Sequence, residues 1–127
     1  MSAIQVLLVD DVPEYLDTME LNLPEGCSAR HASTSAEAKR SIENEAPAIA
    51  VVDVRLVAEE TTNREGLELL SWIRTHSPGT KVLMISAYEE FHFEAESLAN
   101  GALYFLRKPV QPEDFHQKVE QAMEMKA

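Results

Sequence analysis

Three aspartates, a serine and a lysine in this chain each follow a short apolar run. Gln5-Val6-Leu7-Leu8-Val9 leads into Asp10-Asp11, and Ala48-Ile49-Ala50-Val51-Val52 into Asp53. Lys81-Val82-Leu83-Met84-Ile85 leads into Ser86-Ala87, and Leu103-Tyr104-Phe105-Leu106-Arg107 into Lys108-Pro109. Carboxylates gathered in this way offer hard oxygen ligands to a divalent cation, and Mg²⁺ commonly takes one or two carboxylates plus waters and phosphate oxygens. A cation beside Asp53 would offset the repulsion between a carboxylate nucleophile and an incoming phosphate. Aspartate is a competent covalent acceptor of a phosphoryl group. The Lys108 ammonium suits pairing with phosphoryl oxygens, and the Ser86 hydroxyl suits donating to another.

Such a site exists only if the fold brings the five residues together. The apolar runs predict strands at Gln5–Val9, Ser28–Ala32, Ala48–Val52, Lys81–Ile85 and Leu103–Leu106. Four are nearly continuous apolar runs, as strands covered on both faces require. Ser28-Ala29-Arg30-His31-Ala32 is polar and reads as an edge strand.

Helical spacing fills the intervals. Val12, Leu16, Met19 and Leu23 form one stripe, with Pro13 in the first turn and Pro24-Glu25-Gly26 as the stop. Thr34-Ser35-Ala36-Glu37 can cap a second helix from Ser35 to Glu45, which Pro47 ends. Leu67, Leu70 and Ile73 give the third a buried stripe, closed by Ser77-Pro78-Gly79. A fourth, from about Glu89, carries Phe91, Ala95, Leu98 and Ala99 and stops at Asn100-Gly101; Phe93 is the aromatic that could point outward to a partner. The fifth starts at Pro112 and shows Phe115, Val119, Ala122 and Met123 on one face.

Alternating strand and helix implies an α/β, doubly wound five-stranded parallel sheet, and a polar second strand at the edge suits the order 2-1-3-4-5. The carboxyl ends of all strands then share one edge, where ligands bind in such sheets. All five polar residues fall there.

Bulk properties exclude several classes. A chain of 127 residues with 45% apolar content reads as one globular domain over 1–127. A formal net charge of −11 repels phosphate backbones, and no Lys/Arg cluster relieves it, so nucleic acid is not expected as a partner of this chain by itself. Cys27 is the only cysteine, which excludes an internal disulfide framework and fits a reducing compartment. The amino terminus lacks a basic segment before its short apolar run, so neither a leader peptide nor a membrane span is expected, and the localisation reads as cytoplasmic. The histidines His31, His76, His92 and His116 lack metal-ligand spacing, and Trp72 reads as helix packing.

Val9-Asp10-Asp11, Val52-Asp53, Ile85-Ser86-Ala87, Gly101-Ala102 and Lys108-Pro109 together resemble the receiver domain of bacterial two-component response regulators, over essentially the whole chain. The resemblance implies a flavodoxin-like fold and an Asp53 phosphoacceptor served by Mg²⁺ or Mn²⁺. It implies that Asp11 binds the metal directly, Asp10 through water, and Arg55 through its backbone carbonyl. Ser86 and Lys108 would contact the phosphoryl group. Phe105, three residues before the lysine, would be the switch aromatic. Implied partners are a sensor histidine kinase or phosphotransfer protein, and a downstream target or fused output domain. The implied output surface is the fourth helix, fifth strand and fifth helix, which could also pair two copies of the chain. Such a domain is a switch and not a turnover enzyme. From the residues alone, a phosphorylation-independent interaction module and a Mg²⁺-dependent small-molecule phosphatase stay open as alternatives.

Two departures from the family pattern stand out. Val57 occupies the place of a common proline, and Gly66 comes late, so the loop after the third strand is longer than usual by roughly four to six residues. Arg55 and Tyr88 are bulky where the family tunes access of water to the acyl phosphate, which suggests a long-lived phosphorylated state.

Overall fold

The computed structural model describes residues 3–56, 63–87 and 91–125, the side chains of residues 91 and 92 aside. The chain alternates β1 (Ile4–Val9), α1 (Pro13–Leu21), β2 (Cys27–Ala32), α2 (Ser35–Asn44), β3 (Ile49–Asp53), α3 (Glu65–His76), β4 (Lys81–Ser86), α4 (Phe91–Ala99), β5 (Tyr104–Arg107) and α5 (Pro112–Glu124). All strand pairings are parallel and the order is β2-β1-β3-β4-β5. The predicted α/β architecture, strand order and polar edge strand are thus the observed ones.

Successive side chains of a strand point to opposite faces, so each apolar run feeds two cores. Val6, Leu8, Val51, Leu83 and Ile85 meet Leu16 and Met19 of α1 and Phe115, Val119 and Ala122 of α5. Leu7, Val9, Val52, Val82 and Met84 meet Ala38 and Ile42 of α2, Leu70 and Ile73 of α3, and Phe93 of α4. The central strands β1, β3 and β4 carry buried apolar stretches, Val6–Val9, Ile49–Val52 and Val82–Ile85, because both faces of the sheet are covered there.

Local chemistry sets the helix ends. Thr34 Oγ1 accepts from the Glu37 amide at 3.1 Å, and Glu37 Oε1 accepts from the Ser33 amide at 2.8 Å. The second helix has no basic residue in its last turn. Arg30 of the edge strand supplies that charge, donating to the Ser41 and Glu45 carbonyls at 3.1 and 2.7 Å. This is why β2 carries an arginine. The α3–β4 turn is fixed from inside: Thr80, 1% exposed, donates to the Pro47 carbonyl at 2.7 Å and shares a 2.8 Å contact with the Ser77 hydroxyl. Thr80→Val would leave that carbonyl buried without its donor and is expected to cost about 1–3 kcal/mol. Urea midpoints measure this, and an unchanged midpoint would show that the carbonyl finds another donor.

The fourth helix corrects the sequence reading. Its inward residues are Phe93, 4% exposed, and Ser97, fully buried, whereas Leu98 is 45% exposed and Ala95 and Ala99 also face outward. Both stripes have helical spacing. The stripe containing Phe93 is the buried one, and its phenyl ring removes a large apolar area from water. The side chain of Phe91, expected on the other stripe, lies outside the described residues. Phe93 is therefore a core residue and not an outward partner contact. Among the described residues no helix is long and apolar enough to cross a membrane.

Candidate functional site

The parallel register lines up the carboxyl ends of β1, β3, β4 and β5. Asp53 is the last residue of β3 and pairs with Ile85, and Ser86, the last of β4, pairs with Arg107. Asp10 and Asp11 follow β1 directly, and Lys108 follows β5 directly. The Lys108 amide donates to the Ser86 carbonyl at 2.9 Å, which extends the β4–β5 pairing by one residue and carries the lysine over the sheet edge. The Lys108–Pro109 peptide is cis.

Here the three carboxylates and the lysine converge, with Ser86 on the same sheet edge. Lys108 Nζ donates to Asp10 Oδ2 at 2.8 Å and to Asp53 Oδ2 at 3.0 Å. Carboxylate oxygens of Asp10, Asp11 and Asp53 lie within 4.8 Å of one another. The other Asp10 oxygen, Oδ1, accepts from the Val12 amide at 2.9 Å, which ties the carboxylate to the first turn of α1. Asp53 Oδ1 is 3.4 Å from the Arg55 amide, a long hydrogen bond. Asp10 is 1% exposed, Asp53 6% and Ser86 0%.

Burial has electrostatic consequences. Loss of water pushes the Asp53 carboxyl up to about 7; the Lys108 charge works against this rise and the neighbouring Asp10 carboxylate adds to it. For Lys108 burial disfavours the charge, yet Asp53 and Asp10 outweigh it and hold the ammonium above its usual lysine value. The pocket thus holds more negative capacity than one lysine can satisfy. Three clustered carboxylates are a hard, oxygen-only donor set, the type that suits Mg²⁺ or Mn²⁺.

The remaining sequence candidates lie around this centre. The Arg55 side chain is buried, 6% exposed, just beyond β3. Phe105 is half-buried on β5 and packs against the core on the α2–α3–α4 face, with the Arg107 guanidinium 5.9 Å from its ring. Val57, most of the long loop, and Tyr88 fall outside the described residues.

Two contacts were not visible in the sequence. Asn63 clamps the ends of the long loop: its Oδ1 accepts from the Leu56 amide at 3.0 Å and the Glu65 amide at 3.2 Å. Asparagine favours such local bonds to backbone, but nothing in the sequence ranks this one above others in the loop. The ring of Tyr15, on α1, lies 3.8 Å from Lys108 Nζ. Its position in the first turn after Asp10-Asp11 was the signal available.

Comparison with known proteins agrees with this geometry. A family model described as a response regulator receiver domain matches residues 6–120. The response regulator protein PilR of Pseudomonas aeruginosa is 32% identical over 111 residues, covering 87% of this chain and 24% of PilR. The transcriptional regulatory protein GlrR of Escherichia coli is 29% identical over 123 residues, covering 96% of this chain and 27% of GlrR. This chain therefore spans about a quarter of the length of these curated relatives. A CheY-like receiver domain protein from Methanospirillum hungatei superposes with a TM-score of 0.85 at 31% identity, over 97% of this chain and 95% of the other. The receiver domain of NtrX from Brucella abortus gives 0.85 at 28% identity, over 95% and 99%. By its matched sequence, its strand order and its acidic edge, this chain belongs to the response regulator receiver domain family.

Proposed function

We propose that the chain is a phosphoryl-accepting switch of a two-component relay, with Asp53 as the acceptor. The observation that supports this most is the Lys108 ammonium held between Asp10 and Asp53, at 2.8 and 3.0 Å, beside a cluster of three carboxylates. A buried lysine between two carboxylates is poised to follow charge. When Asp53 gains a phosphoryl group, the ammonium exchanges a carboxylate partner for phosphoryl oxygens.

The phosphoryl source would be a phosphohistidine on a sensor kinase or phosphotransfer protein. An Asp53 oxygen attacks phosphorus, the phosphorus–nitrogen bond breaks, and the imidazole departs with its electron pair. Asp53 must be ionised to attack. A carboxyl titrating near 7 in the metal-free site is only partly ionised at neutral pH. Asp10, Asp11, Asp53 and the Arg55 carbonyl would hold a Mg²⁺ or Mn²⁺ ion. When bound, the ion neutralises charge between acceptor and phosphate.

The readout follows from packing. Ser86, on the last position of β4, would donate its hydroxyl to the phosphoryl group and draw the loop after β4 with it. Phe105 then turns inward into the space released, and its neighbour Arg107, paired with Glu94 of α4 at 3.0 Å, carries the change to α4. The altered surface is α4–β5–α5, for a downstream target, a fused output domain or a second copy of the chain.

Intact-mass measurement after incubation with Mg²⁺ and acetyl phosphate tests the acceptor. The wild type should gain one phosphoryl group, and Asp53→Asn should gain none. Equal incorporation by Asp53→Asn would sink this assignment. So would a folded wild type that accepts nothing from acetyl phosphate or phosphoramidate.

A further inference from the structure

We propose that Tyr15 is a positioning residue of this site, its ring packing on the Lys108 ammonium and keeping it beside Asp10 and Asp53. The inference rests on the reading of Asp53 as the phosphoryl acceptor. Its geometric basis is independent of that reading. Lys108 Nζ lies 3.8 Å from the Tyr15 ring centroid, while the same atom donates to Asp10 and Asp53 at 2.8 and 3.0 Å. The ammonium is thus in contact with two carboxylates and with an aromatic ring, each of which attracts a cation.

Close packing does not hold the ring in place. Tyr15 is 42% exposed. A largely apolar cavity of about 170 Å³ opens alongside it between α1 and α5, bordered by Met19, Pro112 and Phe115. The ring has room to sink toward that cavity or to swing into solvent. Its place over Nζ is one that the ammonium rewards.

The consequence for the reaction is positional. Lysine carries its charge on a flexible four-carbon stem, so its use at a reacting centre depends on what confines the end of that stem. The side chain of Lys108 is only 8% exposed although it sits at the rim of the sheet. Tyr15 lies in the first turn of α1, four residues after Asp11, and the amide of Val12, which caps this helix, donates to Asp10 Oδ1 at 2.9 Å, so a short hydrogen-bonded stretch of chain joins the ring to the acidic pair. When the Asp53 carboxylate becomes an acyl phosphate, the ring keeps the ammonium within reach of the new oxygens.

The test compares wild type, Tyr15→Phe, which keeps the ring, and Tyr15→Leu, which keeps apolar bulk without it. In metal-free, unphosphorylated protein, the Lys108 ε-methylene protons should be shifted upfield by ring current in wild type and Tyr15→Phe. That shift should vanish in Tyr15→Leu. With Mg²⁺ and saturating acetyl phosphate, the maximal rate of phosphoryl incorporation should match wild type in Tyr15→Phe. In Tyr15→Leu it should fall by roughly three- to tenfold, with little change in the half-saturating donor concentration.

A Tyr15→Leu rate equal to wild type would overturn the proposal, as would a Tyr15→Phe rate that falls equally, or a missing ring-current shift in wild type. These failures are distinct from failure of the acceptor reading. That reading fails if Asp53→Asn still takes up phosphate, an outcome that would leave the ring-current result standing while removing the role in transfer.

Discussion

In EDTA, the wild-type protein is expected to lose stability as the pH rises from about 4 to about 8, while Asp53→Asn stays nearly level over the same range. The reason is the displaced titration of one buried carboxyl. Asp53 has an ordinary value of 3.8 and is pushed to about 7 in the fold, chiefly by loss of water, with the Lys108 charge opposing and the Asp10 charge adding. Between those values the native state holds a proton that the unfolded chain has released. Stability falls with rising pH wherever the unfolded state binds fewer protons. The contribution is therefore fully present below the unfolded value and is lost as pH climbs through the folded one.

The loss should be on the order of 2–4 kcal/mol, a large share of the 5–15 kcal/mol that holds a typical domain together. Asparagine has the shape of the protonated carboxyl and no charge to bury. Near pH 4–5 the two proteins should have similar urea midpoints, and near pH 8 Asp53→Asn should be the more stable. Lys108 keeps its 2.8 Å bond to Asp10 in the variant, so the ammonium is not stranded. Saturating Mg²⁺ at pH 8 should narrow the difference, since a ligand bound only by the native state adds RT ln(1 + [L]/Kd). Wild-type and variant midpoints falling in parallel from pH 5 to 8 would mean that the titrating carboxyl is not Asp53.

What the sequence revealed, and what it hid, divides along physical lines. The strands were legible because β1, β3 and β4 are largely buried on both faces and leave unbroken apolar runs of four residues, Val6–Val9, Ile49–Val52 and Val82–Ile85. Their order then placed Asp10, Asp11, Asp53, Ser86 and Lys108 on one edge, without any need to see a side chain. Arg30, Ser28 and His31 marked the edge strand for the same reason in reverse. The inward face of α4 was not legible. Phe91, Ala95, Leu98 and Ala99 form an apolar stripe that outnumbers Phe93, so a count of apolar positions favours that stripe over the one that is buried. Ser97 on the buried face deepened the error, because a hydroxyl reads as outward. Tyr15 and Asn63 were missed for a different reason: each acts through one long-range or loop-closing contact, and such contacts leave no periodicity behind.

The long loop after β3 sharpens the case of Gly66, the first residue at which α3 meets the site. Gly66→Ala is expected to destabilise the protein by about 3 kcal/mol or more, above the usual 1–3 kcal/mol of an overpacked core. Helix propensity alone argues the opposite: Gly66 lies inside α3, and alanine there would be favoured by about 1 kcal/mol. Sterics decide. A Cβ on Gly66 would sit 1.8 Å from the Asp53 carbonyl oxygen, 2.7 Å from the Asp53 carbonyl carbon and 2.8 Å from Val54 Cα. All three are backbone atoms, so no rotamer change relieves the clash. Either α3 lifts away, breaking the 2.9 Å bond from the Gly66 amide to the Val54 carbonyl, or β3 shifts and takes Asp53 out of line with Lys108. Asn63 ties the two ends of the intervening loop together, and the close approach of α3 to β3 beside them leaves no room for a Cβ at Gly66. Gly79→Ala is the control, since nothing lies within 4 Å of a Cβ there, and it should change stability by no more than about 0.5 kcal/mol. Urea midpoints of the two variants measured side by side would decide the matter. A Gly66→Ala protein as stable as wild type, with normal phosphoryl uptake, would mean that α3 tolerates a wider seat beside Asp53 than this packing allows.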